Sequence, residues 1–119
     1  MIFEFPFPPK ELNPNVRNKM HWARIHKTTK SYREECYWIV IKSKKVPNYQ
    51  PSEKKLKLKI TFFPPDRRRR DDDNIIGSFK AGRDGVARAW QIDDYNFRCS
   101  YHFEDPIENG KVVVEVLNG

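Results

Sequence analysis

Seven consecutive charges, Arg67-Arg68-Arg69-Arg70-Asp71-Asp72-Asp73, run directly into Asn74 and form the densest chemistry in the chain. Three adjacent carboxylates repel one another, and two readings account for them. In the first they start a helix inside a solvated, mutually neutralising charge run, with Asp73 or Asn74 as the N-cap and the acids favoured by the helix dipole. In the second they bind a divalent cation. Mg²⁺ takes one or two carboxylates together with waters and a substrate phosphate. The alternation Asp71-x-Asp73 at a strand-to-helix junction lets two carboxylates converge while Asp72 points away. The arginines add weight to this second reading. An acidic site alone repels a phosphodiester, whereas a row of guanidiniums attracts it and grips its oxygens bidentately. Carboxylates beside cationic donors suit hydrolysis in which a metal activates water and offsets charge on the phosphate. Arg69 and Arg70, nearest the acids, are the expected phosphate contacts, with Arg67 and Arg68 extending the row and Asn74 closing it.

Other candidates are weaker. Asp93-Asp94 reads by itself as a polar turn. Lys80 lies seven residues after Asp73, two turns along a continuous helix and so on the same side, where it holds a phosphate or pairs with an aspartate. His21, His26 and His102 show no zinc spacing. Cys36 and Cys99 are isolated and are expected as small apolar residues in a reduced compartment. The chain carries no glycine-rich phosphate loop, no Ser/His/Asp or Cys/His arrangement, and no motif for a small-molecule cofactor.

The elements that must position these residues follow from periodicity. A chain of 119 residues supports one core, so residues 1–119 are expected to form a single α/β domain. Ile2 to Phe7 alternates as a strand with Phe3, Phe5 and Phe7 on one face, and Pro8-Pro9 stops it. Residues 10–20 are turn-rich and basic, a loop that includes Arg17. Trp22 to Lys45 is an amphipathic helix with Ile25, Tyr32, Cys36, Ile39 and Val40 inward and Lys27, Lys30, Arg33, Lys42 and Lys44 outward. Lys55 to Phe63 alternates strictly as a second strand. A second helix runs from Asn74 to Trp90 on the stripe Ile75, Ile76, Phe79, Val86 and Trp90, with Gly82 and Gly85 as the places for a bend. Phe97 to Phe103 and Lys111 to Leu117 are the last strands, joined through DPIENG, whose Asn109-Gly110 is a turn signal. The order is βαβαββ: a mixed sheet, two helices and a C-terminal β-hairpin.

The net charge of +7 and pI near 9.5 point to a polyanionic partner, nucleic acid being the commonest. Arg17 and Lys27 extend the cationic footprint beyond the arginine row. The apolar start MIFEFPFPPK is too short for a signal peptide and no run suits a membrane span, so the expected place is the cytoplasm.

With these residues in place, the sequence resembles the RusA family of Holliday junction resolvases, small phage-derived endonucleases. The likeness rests on FPFPPKELNPNVRNKMHW, on PPDRRRRDDDNIIGSFKAGRDGV and on the turn IDDYNF, in the family's order and at its distances. The resemblance implies a homodimer that places paired nicks across a four-way junction, uses Mg²⁺ or Mn²⁺, and leaves ligatable ends. It implies Asp71, Asp73 and Asp94 as catalytic, metal-binding aspartates, Asp93 as an auxiliary, and Asn74 as the asparagine after the second aspartate. One position departs from the pattern: the functional lysine six residues after the first aspartate is here Gly77, and Lys80 lies close to one turn further on. Two other readings stay open, a non-catalytic basic DNA-binding protein (a phage regulator or packaging accessory) and a family member that binds junctions but cleaves poorly. Geometry adds a constraint. A straight helix over residues 74–90 would hold Asp94 about 25 Å from Asp71 and Asp73. Either the chain bends back, or Asp94 comes from a partner subunit whose second helix packs antiparallel.

Overall fold

Alternation of apolar and charged residues builds the sheet. The structure is a computed structural model that describes residues 1–17, 21–51 and 54–118, apart from the side chain of Arg17. In β2 (Leu56–Phe63) Leu56, Leu58, Ile60 and Phe62 are buried while the residues between them are not. The same period buries Phe3 and Phe5 in β1 (Ile2–Phe5) and Val112 and Val114 in β4 (Lys111–Val116). With β3 (Phe97–Phe103) they form a mixed sheet in the order β1-β4-β2-β3, antiparallel except for the β2–β3 pair.

The α/β class and mixed sheet are as expected; the C-terminal hairpin is not. β3 and β4 lie on opposite edges of β2. Asn109 and Gly110 do adopt the positive φ of a tight turn, at 67° and 65°. That turn packs against the end of β2, where a Cβ on Gly110 would meet the carbonyl oxygen of Phe63 at 2.9 Å. The amide of Glu104 donates to the Phe62 carbonyl and that of Ile107 to the Pro64 carbonyl, both at 2.9 Å. The connection is thereby tied across the end of β2 and hands the chain to its far edge.

The expected loop over residues 10–20 contains a 3-10 turn at Lys10–Leu12 and a short helix α1 at Pro14–Arg17. The long helix α2 spans Trp22–Ser43 and buries Tyr32, Cys36 and Val40. Burial pushes the Cys36 thiol up to about 12, leaving it the inert core residue expected. Arg33, read as outward, is half-buried against the next helices, and its Nε is buried without a hydrogen bond among the described residues.

The expected second helix is two. α3 runs Asp72–Ser78 and α4 runs Lys80–Trp90, with Phe79 between them at φ −92° and ψ 1°. The break falls at neither glycine. The Phe79 ring is held in the core by Phe5, Tyr32 and Phe62, at centroid distances of 6.0, 6.3 and 6.0 Å. Just before it, the Ser78 hydroxyl donates to the Ile75 carbonyl at 2.6 Å, a back-bond of the kind that bends helices. Gly82 and Gly85 serve packing. A Cβ on Gly85 would lie 2.3 Å from the Arg33 carbonyl oxygen, so the absence of a side chain lets α4 press onto the α2 backbone. Gly85→Ala is therefore expected to destabilise the fold by about 2 kcal/mol, the scale of overpacking, in spite of alanine's better helix propensity. Urea unfolding checks this, and an unchanged midpoint would mean the two helices separate at no cost.

Candidate active site

Asp71 caps α3 from extended backbone (φ −80°, ψ 140°), and its carboxylate makes no capping hydrogen bond. Asp72 and Asp73 form the first turn, so the cap lies ahead of both expected positions, Asp73 and Asn74. Asp71 and Asp73 are exposed, and neither carboxylate has an ion pair or hydrogen bond among the described residues. A helix start normally spends a carboxylate on its free N–H groups. Here the oxygens remain available, which is what a hard cation requires.

The arginine row divides. Arg67, Arg68 and Arg69 are exposed. Arg70 is 16% exposed, paired with Asp66 at 2.9 Å, and donates to the Asp66 and Arg68 carbonyls at 3.1 Å. Its guanidinium also lies over the Phe7 ring at 5.7 Å. Arg70 thus staples the 66–70 loop, and Arg67–Arg69 are the guanidiniums of the row left exposed. The Arg70 hydrogen bond holds the Asp66 carboxyl below its ordinary range. Because this pairing is internal to the loop, it leaves Asp71–Asp73 unneutralised.

The second group of charges sits at the other end of the helix pair. Asp94 opens a 3-10 turn (Asp94–Asn96), is partly buried, and lies 3.7 Å from Arg83, whose guanidinium also donates to the Tyr101 hydroxyl at 3.3 Å. Asp84, which the sequence reading missed, joins this group. Its carboxyl is pushed up by burial and then by the neighbouring Asp94, against the pull of Lys80 and Arg83. Asp93 caps the 3-10 turn by accepting from the Tyr95 amide at 2.9 Å, so it is spent locally. Lys80 belongs here too. Seven-residue spacing puts it on the side of Asp73 only in one continuous helix, and the helix is broken at Phe79. The faint signal for Asp84 was its spacing four residues after Lys80 on one helix.

Among the described residues, no three His, Cys, Asp or Glu side chains converge closely enough to hold a metal. Asp71, Asp73 and Asp94 therefore do not form a ready-made three-ligand group among the described residues. Asn74 is half-buried next to Asp71 and lines a pocket with it. Lys27 is exposed on α2. Arg17 ends α1, and its side chain lies outside the described residues.

Comparison with known proteins settles the lineage. The profile of the endodeoxyribonuclease RusA family matches residues 6–116. The chain belongs to that family. An uncharacterized protein of Xylella fastidiosa strain Temecula1 is 37% identical over 114 residues, which cover 96% of this chain and 73% of that protein. Membership in the RusA family makes this a DNA-binding endonuclease of the Holliday junction resolvase type, against the reading as a non-catalytic binder. No helix among the described residues is long and apolar enough to cross a membrane.

Asp84 gives a stability prediction with a definite sign. Its folded pKa lies above the ordinary 3.8, so the folded chain binds more protons in that window and stability falls as pH rises through it. Asp84→Asn should stabilise the protein at neutral pH by about 0.5 kcal/mol, a small figure because the group is largely solvated. The gain should vanish in acid, where both forms are neutral. Thermal melts at two pH values measure it, and a less stable variant at neutral pH would show that Lys80 and Arg83 outweigh the repulsion.

Proposed function

We propose that the chain resolves four-way junctions as a magnesium- or manganese-dependent homodimer, each site built from Asp71 and Asp73 of one subunit and Asp94 of the other. The observation that carries the reading is the pair of uncommitted carboxylates at the start of α3 beside three exposed arginines. Their hard oxygen donors fit Mg²⁺, which when bound supplies an activated water and offsets charge on the phosphate. Asp71 and Asp73 would hold it, and Arg67–Arg69 would draw in and orient the phosphodiester.

The face around Asp94 supports sharing. Asp94 lines a cleft with Arg33 and Arg88. The same two arginines wall a second cleft at Trp38, which is 53% exposed. Four residues to either side of Trp38 stand Glu34 and Lys42. In an antiparallel two-fold pairing of α2, Glu34 of each chain would face Lys42 of the other. A partner seated there would lie beside the cleft that Asp94 lines.

Two outcomes are expected. Asp71→Asn and Asp94→Asn should each abolish cleavage of a labelled junction while leaving affinity equal or higher, since negative charge near DNA is removed. Mixed under exchanging conditions, the two inactive proteins should regain nicking of one strand, because the heterodimer holds one intact site. Silence from the mixture would place all three aspartates within one chain. Separately, Arg68→Ala with Arg69→Ala should flatten the salt dependence of junction binding by about one log–log unit per lost contact, whereas Arg70→Ala should lower stability and leave the slope alone. An unchanged slope in the double variant would remove these arginines from the DNA interface.

A further inference from the structure

We infer that Trp22 is a stacking platform for the branch point of the DNA, its ring covering the bare end face of one arm and so fixing where the strands lie relative to the acids. This rests on the junction-resolving reading and deepens it, since it gives a residue outside the Asp71 and Asp94 groups the task of recognising branched structure. The chain has three tryptophans. Trp90 is 4% exposed in the core, and Trp38 walls a cleft with Arg33 and Arg88. Trp22, the first residue of α2, is 72% exposed and takes no part in the core.

Its surroundings are aromatic and cationic. His21 caps α2, its Nδ1 accepting from the Ala23 amide at 3.3 Å, and its imidazole lies beside the Trp22 ring with centroids 6.1 Å apart. His26, one turn along, meets the same ring edge-on at 6.4 Å. Both imidazoles are exposed as well, so the surface here is a cluster of three flat rings. From His21 to Arg33 the chain carries Arg24, Lys27, Lys30 and Arg33 and no acid, the first carboxylate being that of Glu34. A helix start ordinarily favours acids. Cations around exposed rings suit a polyanion that also offers flat apolar faces, as nucleic acid does. The place is right too. Arg24 lies 3.9 Å from Glu11 in the 3-10 turn Lys10–Leu12, and Lys10, Asn13 and Asn15 line one cavity with Arg68, Arg69 and Arg70.

Stacking needs a free base face, and branched DNA supplies one. Inside a duplex each base pair is covered above and below by its neighbours. At a four-way branch the arms end, and a terminal pair can expose a face with its own pairing intact. Aromatic side chains stack there whatever the base, because every base has a π-face; the contact reads structure and not sequence. A second copy of the chain is the rival occupant, and geometry opposes it. An antiparallel pairing of α2 centred on Trp38 would end where Ser43 faces Arg33. Trp22 lies about 24 Å from that centre along the helix and stays outside the pairing. A two-fold dimer would then present two such rings, one for each of two symmetry-related arms.

The test measures binding of the full-length protein in EDTA to a four-way junction and to a linear duplex of the same arm sequence. Trp22→Ala should weaken junction binding about tenfold, the scale of one lost stack, and leave duplex binding nearly unchanged. Trp22→Phe keeps a ring and should recover most of the junction affinity. Melting temperature and dimer mass should match wild type in both variants, since the ring stands in solvent. Equal losses on junction and duplex, an unchanged junction affinity, or a Trp22→Ala protein that no longer dimerises would each overturn the platform. Cleavage assays with Mg²⁺ and Mn²⁺ separate the two readings. A wild type that binds the junction through Trp22 yet never cuts it sinks the nuclease reading and keeps the platform. Full cutting, with junction affinity untouched in Trp22→Ala, removes the platform and leaves the nuclease standing.

Discussion

The ring of Phe79 is the point on which the arrangement of charges depends. It is wedged among Phe5 of β1, Phe62 of β2 and Tyr32 of α2, and the Tyr32 hydroxyl donates in turn to the Pro6 carbonyl at 2.6 Å. Seating that ring fixes the chain at a non-helical conformation between α3 and α4. A continuous helix would carry Lys80 on the same side as Asp73. The break lets α3 lie against α1, where a Cβ on Gly77 would touch the Pro14 ring at 3.0 Å. Meanwhile α4 is pressed onto α2 through Gly85. A packing constraint in the core thereby sorts the charged residues into two groups.

The groups differ in how far their charges are committed. At Asp84 and Asp94 the acids face Lys80 and Arg83, and partial burial makes each charge felt by the next. At Asp71 and Asp73 the oxygens are solvated and unpaired among the described residues. A site that must release water in favour of a cation and a phosphate works best from the second condition. A carboxylate held by its own arginine loses that interaction when it turns to a metal. The order of residues in the row matters for the same reason. Arg70, the arginine nearest the triplet, is turned back onto Asp66, so the cations left exposed are those further from the acids.

Much of this was legible in the sequence. Period-two alternation placed the four strands, and three-and-four spacing placed α2 to within two residues at its C-terminal end. What escaped was set by contacts between distant residues. The Asn109-Gly110 signal gave the turn, but only the hydrogen bonds to Phe62 and Pro64 show that the turn leads across β2. Phe79 fits an apolar helical stripe, and nothing local distinguishes a ring that rides on a helix from one that breaks it. Asn13 and Asn15 read as turn residues because no spacing rule relates them to position 70. The acidic motif was visible because its chemistry is contiguous. The division within the arginine row was not, because it depends on which guanidinium reaches back to Asp66.

That division bears on how a basic protein with an acidic site avoids neutralising itself. Four arginines abutting three aspartates would collapse into internal pairs if each guanidinium took the nearest carboxylate, since exposed pairs form and break at little cost. Here the chain supplies Asp66 on the far side of the row, and Arg70 is additionally held by two carbonyls and by the Phe7 ring. Anchoring that one residue gives the loop a direction: its remaining cations are presented outward and its acids emerge on the other side of the anchor. Attraction for phosphate and an unquenched carboxylate pair then coexist within eight residues, Asp66 to Asp73. Without Asp66, Arg70 would be free to turn toward Asp71 and quench it.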